Sequence, residues 1–170
     1  MSEIPAGAPT DVPAQPLPRA LRPIVIRSVA EAQLRNAPLV EAEHLLLALS
    51  REGSVPIRSA LANAGLDPEG LDAALAAERA TSLRVAGVTP PPAARLTAAP
   101  RVARPRWGTS ARDVLSRAHR VASANRRRQG MAELDLLTAL LGLELGTVPR
   151  ALTIADVDRA AVLAAAAAAA

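Results

Sequence analysis

The sequence predicts an all-α fold built from two repeated four-helix units, and three observations carry that expectation. Apolar residues recur at helical spacing: Val114, Leu115, Ala118, Val121 and Ala122 fall at i, i+1, i+4, i+7 and i+8, one stripe of an amphipathic helix. No segment carries a strand signal. The pattern also returns along the chain. Ile24, Val25, Ser28 and Ala32 align with Val114, Leu115, Ala118 and Ala122 ninety residues on, and Leu45, Leu46, Ala48 and Leu49 align with Leu136, Leu137, Ala139 and Leu140 ninety-one residues on.

Taken in order, residues 1–20 are Pro-rich and aperiodic and read as a disordered tail. They contain no apolar run, so they match neither a signal peptide nor a membrane anchor, and the expected location is the cytoplasm, with no membrane partner. The first repeat spans 21–79. Its stripe at Ile24 is followed by Leu45 to Leu49, apolar all round and so expected at the centre of a bundle. Ser54-Val55-Pro56 then sets a hydroxyl before a first-turn Pro, whose missing N–H does no harm there. Gly65 reads as a helix stop and Asp67, before Pro68, as the cap of the next helix.

Residues 80–106 form a Pro- and Arg-rich linker, with Pro90 to Pro92 favouring extended backbone. The second, divergent repeat spans 107–170. Trp107 opens it as a lid on its own bundle, and Thr109-Ser110 are candidate caps for the helix carrying Val114. The stretch from Leu134 to Leu143 supplies its buried centre. Thr147-Val148-Pro149 repeats the hydroxyl-then-Pro signal, and Leu152, Ala155, Val157, Asp158 and Val162 match Leu61, Ala64, Leu66, Asp67 and Leu71. The chain closes on seven alanines, Ala164 to Ala170, which extend the last helix by propensity.

Composition removes several classes of chemistry. There is no cysteine, and His44 and His119 are the only histidines, which leaves no thiol nucleophile, no disulfide and no cofactor or metal cluster to expect. The chain also lacks Lys, so the phosphate-binding motif G-x-x-x-x-G-K-[ST] cannot occur. The pI of 11.2 overstates basicity, because no Lys, Tyr or Cys titrates below Arg; the net charge is only +4. That charge is uneven: −3 over residues 1–79, +10 over 80–130 and −3 over 131–170. The run Arg126-Arg127-Arg128 sits in the basic part and could meet phosphates. With Trp107 the sole aromatic there is almost no platform for stacking bases, so nucleic acid is disfavoured as a partner and an acidic protein suits the run better, while a merely solvated basic loop is the plainest reading of all.

The line from Ala30 to Leu75 carries a resemblance. Glu31-Ala32, then Glu43-His44-Leu45-Leu46-Leu47-Ala48-Leu49, Arg51-Glu52-Gly53 and Ala60-Leu61 running to Asp67 resemble, in order and spacing, one repeat of the Clp N-terminal domain. That family is the double-repeat helical module at the front of Clp-type unfoldase ATPases. The second copy, Ala111 to Ala166, resembles it less closely, with Leu134-Asp135 where the family repeats Glu-His.

The resemblance implies a pseudo-two-fold helical bundle that performs no chemistry and binds peptides, substrates or adaptors. Here it would be free-standing, without the ATPase modules. The expected role is adaptor, decoy or regulator in Clp-dependent proteolysis, with Clp ATPase or protease subunits and adaptor or substrate proteins as partners. In some members the Glu of each Glu-His motif helps bind phosphorylated arginine, and Glu43 is the residue that would inherit that role. Its carboxylate suits a guanidinium, since such a pair is bidentate and charge-assisted; it would equally favour the helix dipole with no ligand present. Ala42 replaces the family's capping Thr. His44, beside a Leu run and with no nucleophile placed next to it, reads as a hydrogen-bonded packing residue, and His119, between arginines, is assigned no role. The alanine tail also resembles the small apolar termini that Clp proteases recognise. The rival reading is a nucleic-acid-binding regulator using the basic 80–130 region.

Overall fold

Eight α-helices follow one another among the described residues, and two of them, α4 and α8, start at an aspartate cap. The computed structural model describes residues 18–89, 102–124 and 131–169. After a 3-10 turn at Arg19–Leu21, the helices are α1 (Arg22–Leu34), α2 (Ala42–Glu52), α3 (Val55–Asn63), α4 (Pro68–Val85), α5 (Thr109–Ala124), α6 (Glu133–Leu141), α7 (Thr147–Ile154) and α8 (Arg159–Ala168). The Asp67 carboxylate caps α4 by accepting the Gly70 N–H at 2.8 Å, and Asp158 caps α8 by accepting from Ala160 and Ala161 at 3.0 Å. At Gly65, φ is +71°, which lets the Leu66 N–H turn back to the Leu61 carbonyl at 2.9 Å and close α3.

The hydroxyl caps expected at Ser54 and Thr147 are not formed. Ser54 does occupy the capping position of α3, but its side chain makes no cap bond. Thr147 is already the first residue of α7; the capping position belongs to Gly146, whose φ of +109° a residue with a Cβ adopts only under strain.

The linker expected over 80–106 begins later. α4 runs on to Val85 because no breaker interrupts Ala80 to Val85, and it stops at Gly87, where φ is +67° and Val88 donates back to the Leu83 carbonyl at 2.9 Å. At the other end, Val102 and Ala103 are fastened to α1: the Val102 N–H donates to Asn36 Oδ1 at 2.7 Å and Gln33 Nε2 to the Ala103 carbonyl at 2.6 Å. The expected tail likewise yields at its end, since Arg19 and Ala20 belong to the 3-10 turn that buries Leu21. The rest of the tail, residues 90–101 of the linker and the Arg126–Arg128 run lie outside the described residues.

An all-α fold needs one correction. Leu39–Val40 (β1) and Arg106–Trp107 (β2) pair as a two-residue parallel ladder, Leu39 opposite Arg106 and Val40 opposite Trp107. Two residues are too few to show a period in sequence, and their partners are far apart along the chain. The fold is mostly helical with this small sheet.

The core gathers around α2. Leu45 to Leu49 are fully buried, as expected of a helix apolar all round, and Leu136, Leu137 and Leu140 of α6 join them in a single apolar cluster. α1 packs on α2, α5 on α6, α4 on α7 and α3 on α8, with α2 also touching α6. Trp107 is half-buried against this cluster. Each fully buried Leu contributes about 1.5–3 kcal/mol relative to an exposed one.

Candidate functional site

The site is built outward from the start of α2. Glu41 has extended backbone before the helix, and its N–H donates to His44 Nδ1 at 2.9 Å, satisfying a donor that the helix leaves free. The Glu41 carboxylate does not turn back onto α2. It reaches the start of α5, where it accepts from the Ser110 N–H at 3.1 Å and from the Ser110 hydroxyl, while Ser110 Oγ accepts the Ala42 N–H at 2.9 Å. Each helix thus caps the other. Ser110, an expected cap for its own helix, serves α2 instead. Gly108 makes room for the exchange, because a Cβ there would overlap the Glu41 carboxylate.

This clamp sets Glu43 in the first turn of α2 at the border of two clefts. One, of about 380 Å³, is walled by the clamp and by Leu145 to Val148 at the start of α7. The other, of about 530 Å³, runs between β1 and α4 and has apolar walls from Leu39, Leu75 and Leu83, with Arg35, Glu78 and Arg79 at its edges. Burial holds the Glu43 carboxyl above the usual carboxylate range, and Glu41 and Glu78 act in the same direction, against its own backbone N–H and Arg79. Among the described residues the Glu43 carboxylate forms no hydrogen bond or ion pair with another side chain.

Its neighbours are already engaged. Glu78, nearly buried, accepts from Ser82 Oγ and from Arg150 Nε, each at 2.7 Å. Burial alone would raise its pKa, but those two bonds and the arginine charges hold it below the usual range. Glu31, 1% exposed, anchors a cluster that joins α1, α2 and α4: it pairs with Arg27 at 2.7 Å, with Arg51 at 3.1 Å and with Arg35, while Asp72 pairs with Arg35 and, at 3.3 Å, with Arg51. There too burial pushes the carboxyl up, and the Arg35 and Arg27 hydrogen bonds outweigh it to leave the pKa lowered.

His44 is buried, as its packing role requires. Desolvation, with the nearby Arg35 charge, pushes its pKa down to about 4, so it is neutral near pH 7 with its proton on Nε2. The Nδ1 lone pair is occupied by Glu41, which leaves no free basic nitrogen facing a nucleophile. His119 lies exposed on α5 beside Arg117 and Arg120. No group of three or more His, Asp or Glu residues among the described ones could hold a metal ion, and no helix there is long and apolar enough to cross a membrane.

Sequence reasoning singled out Glu43 but missed its setting. The α4 wall with Arg79 and the Glu41–Ser110 exchange come from tertiary packing; for the latter, the sequence showed only an acid, Glu41, one residue before the helix start. No protein-family model matches the chain, and no curated protein matches it.

Proposed function

We propose that this chain is a non-enzymatic protein- and peptide-binding module resembling the Clp ATPase N-terminal domain, acting as adaptor, decoy or regulator in Clp-dependent proteolysis. The observation that carries the reading is the unpaired, half-buried Glu43 carboxylate beside a groove with apolar walls. Holding that charge out of water without a partner is costly, and a cationic group of a bound segment would relieve the cost. The walls of Leu39, Leu75 and Leu83 offer apolar contact to the flanking residues of such a segment.

The repeated, pseudo-two-fold organisation belongs to the same proposal. Two local features support it: the Glu41 N–H to His44 bond at the start of α2 is matched ninety-one residues later by the Ala132 N–H to Asp135 Oδ2 bond at 2.8 Å at the start of α6. Asp67 and Asp158 cap α4 and α8 at that same spacing. A pull-down from host lysate tests the function. Clp subunits or client proteins are retained by the wild type and lost on Glu43→Ala, and equal recovery would reduce Glu43 to a helix-start residue.

A further inference from the structure

The two-residue ladder has a free edge, and that edge borders the groove beside Glu43. The Arg106 N–H donates to the Pro38 carbonyl at 3.0 Å and the Gly108 N–H to the Val40 carbonyl at 2.9 Å. In a parallel ladder the groups that face the partner strand come from alternate residues, so the N–H and carbonyl of Leu39, between these two, point away from β2. Among the described residues neither has a hydrogen-bond partner. Leu39 is only half-buried, and it lines the groove of about 530 Å³ that separates β1 from α4. An unpaired strand edge is a template for one more strand.

We infer, on the peptide-binding reading above, that the groove takes its guest by strand addition: an extended peptide segment lies between β1 and α4, exchanges backbone hydrogen bonds with Leu39 and brings a basic side chain to Glu43. The charges around the groove single out the base. Arg35 is paired with Glu31 and Asp72, Glu78 with Arg150, and Glu41 is held by Ser110, so among the described residues Glu43 is the groove acid left without a side-chain partner. Arg79, exposed on α4, would stand at the guest's far edge, where its guanidinium can donate to backbone carbonyls. In strand addition the main-chain bonds supply affinity and alternate side chains supply specificity. The preferred segment therefore sets a base between apolar residues on its inward face, with Leu75 and Leu83 as their contacts.

A synthetic guest tests this without altering the protein. The probe is an acetylated, amidated heptapeptide in which threonines alternate with valine, arginine and valine, so that the arginine and valines share one face while successive amides point to opposite edges. N-methylation removes the donor and blocks pairing along the edge where it sits. Two variants, one N-methylated at the arginine and valines and the other at the threonines, should therefore part in a calorimetric titration: one weakened at least about tenfold, the other within about twofold of the parent. Loss in the first marks antiparallel addition, and loss in the second parallel. Hydrogen exchange followed by NMR should slow at the Leu39 amide when the parent peptide is bound. A parent that binds and is lost on Glu43→Ala, yet responds alike to both methylation patterns and leaves Leu39 exchange unchanged, would overturn strand addition while the groove reading stands. A parent that fails to bind at about 1 mM would overturn both.

Discussion

At the start of α2 the Glu41 N–H donates to His44 at 2.9 Å, and at the start of α6 the Ala132 N–H donates to Asp135 at 2.8 Å. The backbone solution is shared, but the surfaces around it diverge. Beside the first bond stands Glu43, an acid with no side-chain partner among the described residues; at the corresponding place beside the second is Leu134, packed against the core. The neighbouring acid on α6, Glu133, is already engaged, accepting the Ser54 N–H at 2.7 Å. One helix start leaves a charge unused, and the other spends its carboxylates on structure. Similar local geometry therefore carries a candidate recognition site at one place and scaffold at the other.

The largest effects should fall on what the two regions have in common, the leucine core. Leu46→Ala and Leu137→Ala each remove a fully buried side chain, and each should cost about 2–5 kcal/mol in denaturant unfolding. A loss confined to one of the two would show that only one rod is structural.

Next comes the exchange of caps found only at α2. Gly108→Ala drives a methyl into the Glu41 carboxylate and should cost about 1–3 kcal/mol. Adding Glu41→Ala should return part of that loss in a double-mutant cycle, whereas strict additivity would mean the two residues do not meet. At α6, Asp135→Ala should cost about 1–2 kcal/mol by stranding the Ala132 N–H, with Asp135→Asn recovering most of it.

The smallest effects are those of pH, and they separate the acids by sign. Glu43 has a raised folded pKa, so the native state holds its proton more tightly and stability is lost as pH rises through the carboxylate range. Glu43→Gln should therefore match or exceed the wild type in stability at neutral pH and lose that advantage in acid. Glu31 and Glu78 have lowered pKa values, so their stabilisation is present above the unfolded carboxylate range and disappears as pH falls through the folded values. His44, with its pKa lowered from 6.5 to about 4, should add a decline in stability as pH falls across that interval, absent in His44→Asn. An unfolding series against pH checks all three signs.

Much of the helical framework was legible because it rests on local chemistry: the all-apolar run Leu45 to Leu49, the Asp67 cap and the Gly65 stop appear where spacing and side-chain type put them. What escaped was decided by distant parts of the chain meeting. The ladder of Leu39–Val40 with Arg106–Trp107, the cross-chain task of Ser110 and the buried Glu31 cluster each need a partner at least one helix away. Glu43 was legible as a candidate through its motif. Its burial, and the Leu75 and Leu83 wall that stands beside it, required the packing of α4.

The proposed docking role is tested most directly by measuring, in parallel, the affinity of a purified Clp ATPase for the wild type, for Glu43→Ala and for an Arg117→Glu, Arg120→Glu pair that reverses the exposed basic face of α5. The account predicts a drop of at least about tenfold for Glu43→Ala with the arginine pair within about twofold of wild type. Unchanged binding on loss of Glu43, with collapse on reversal of the arginines, would contradict it.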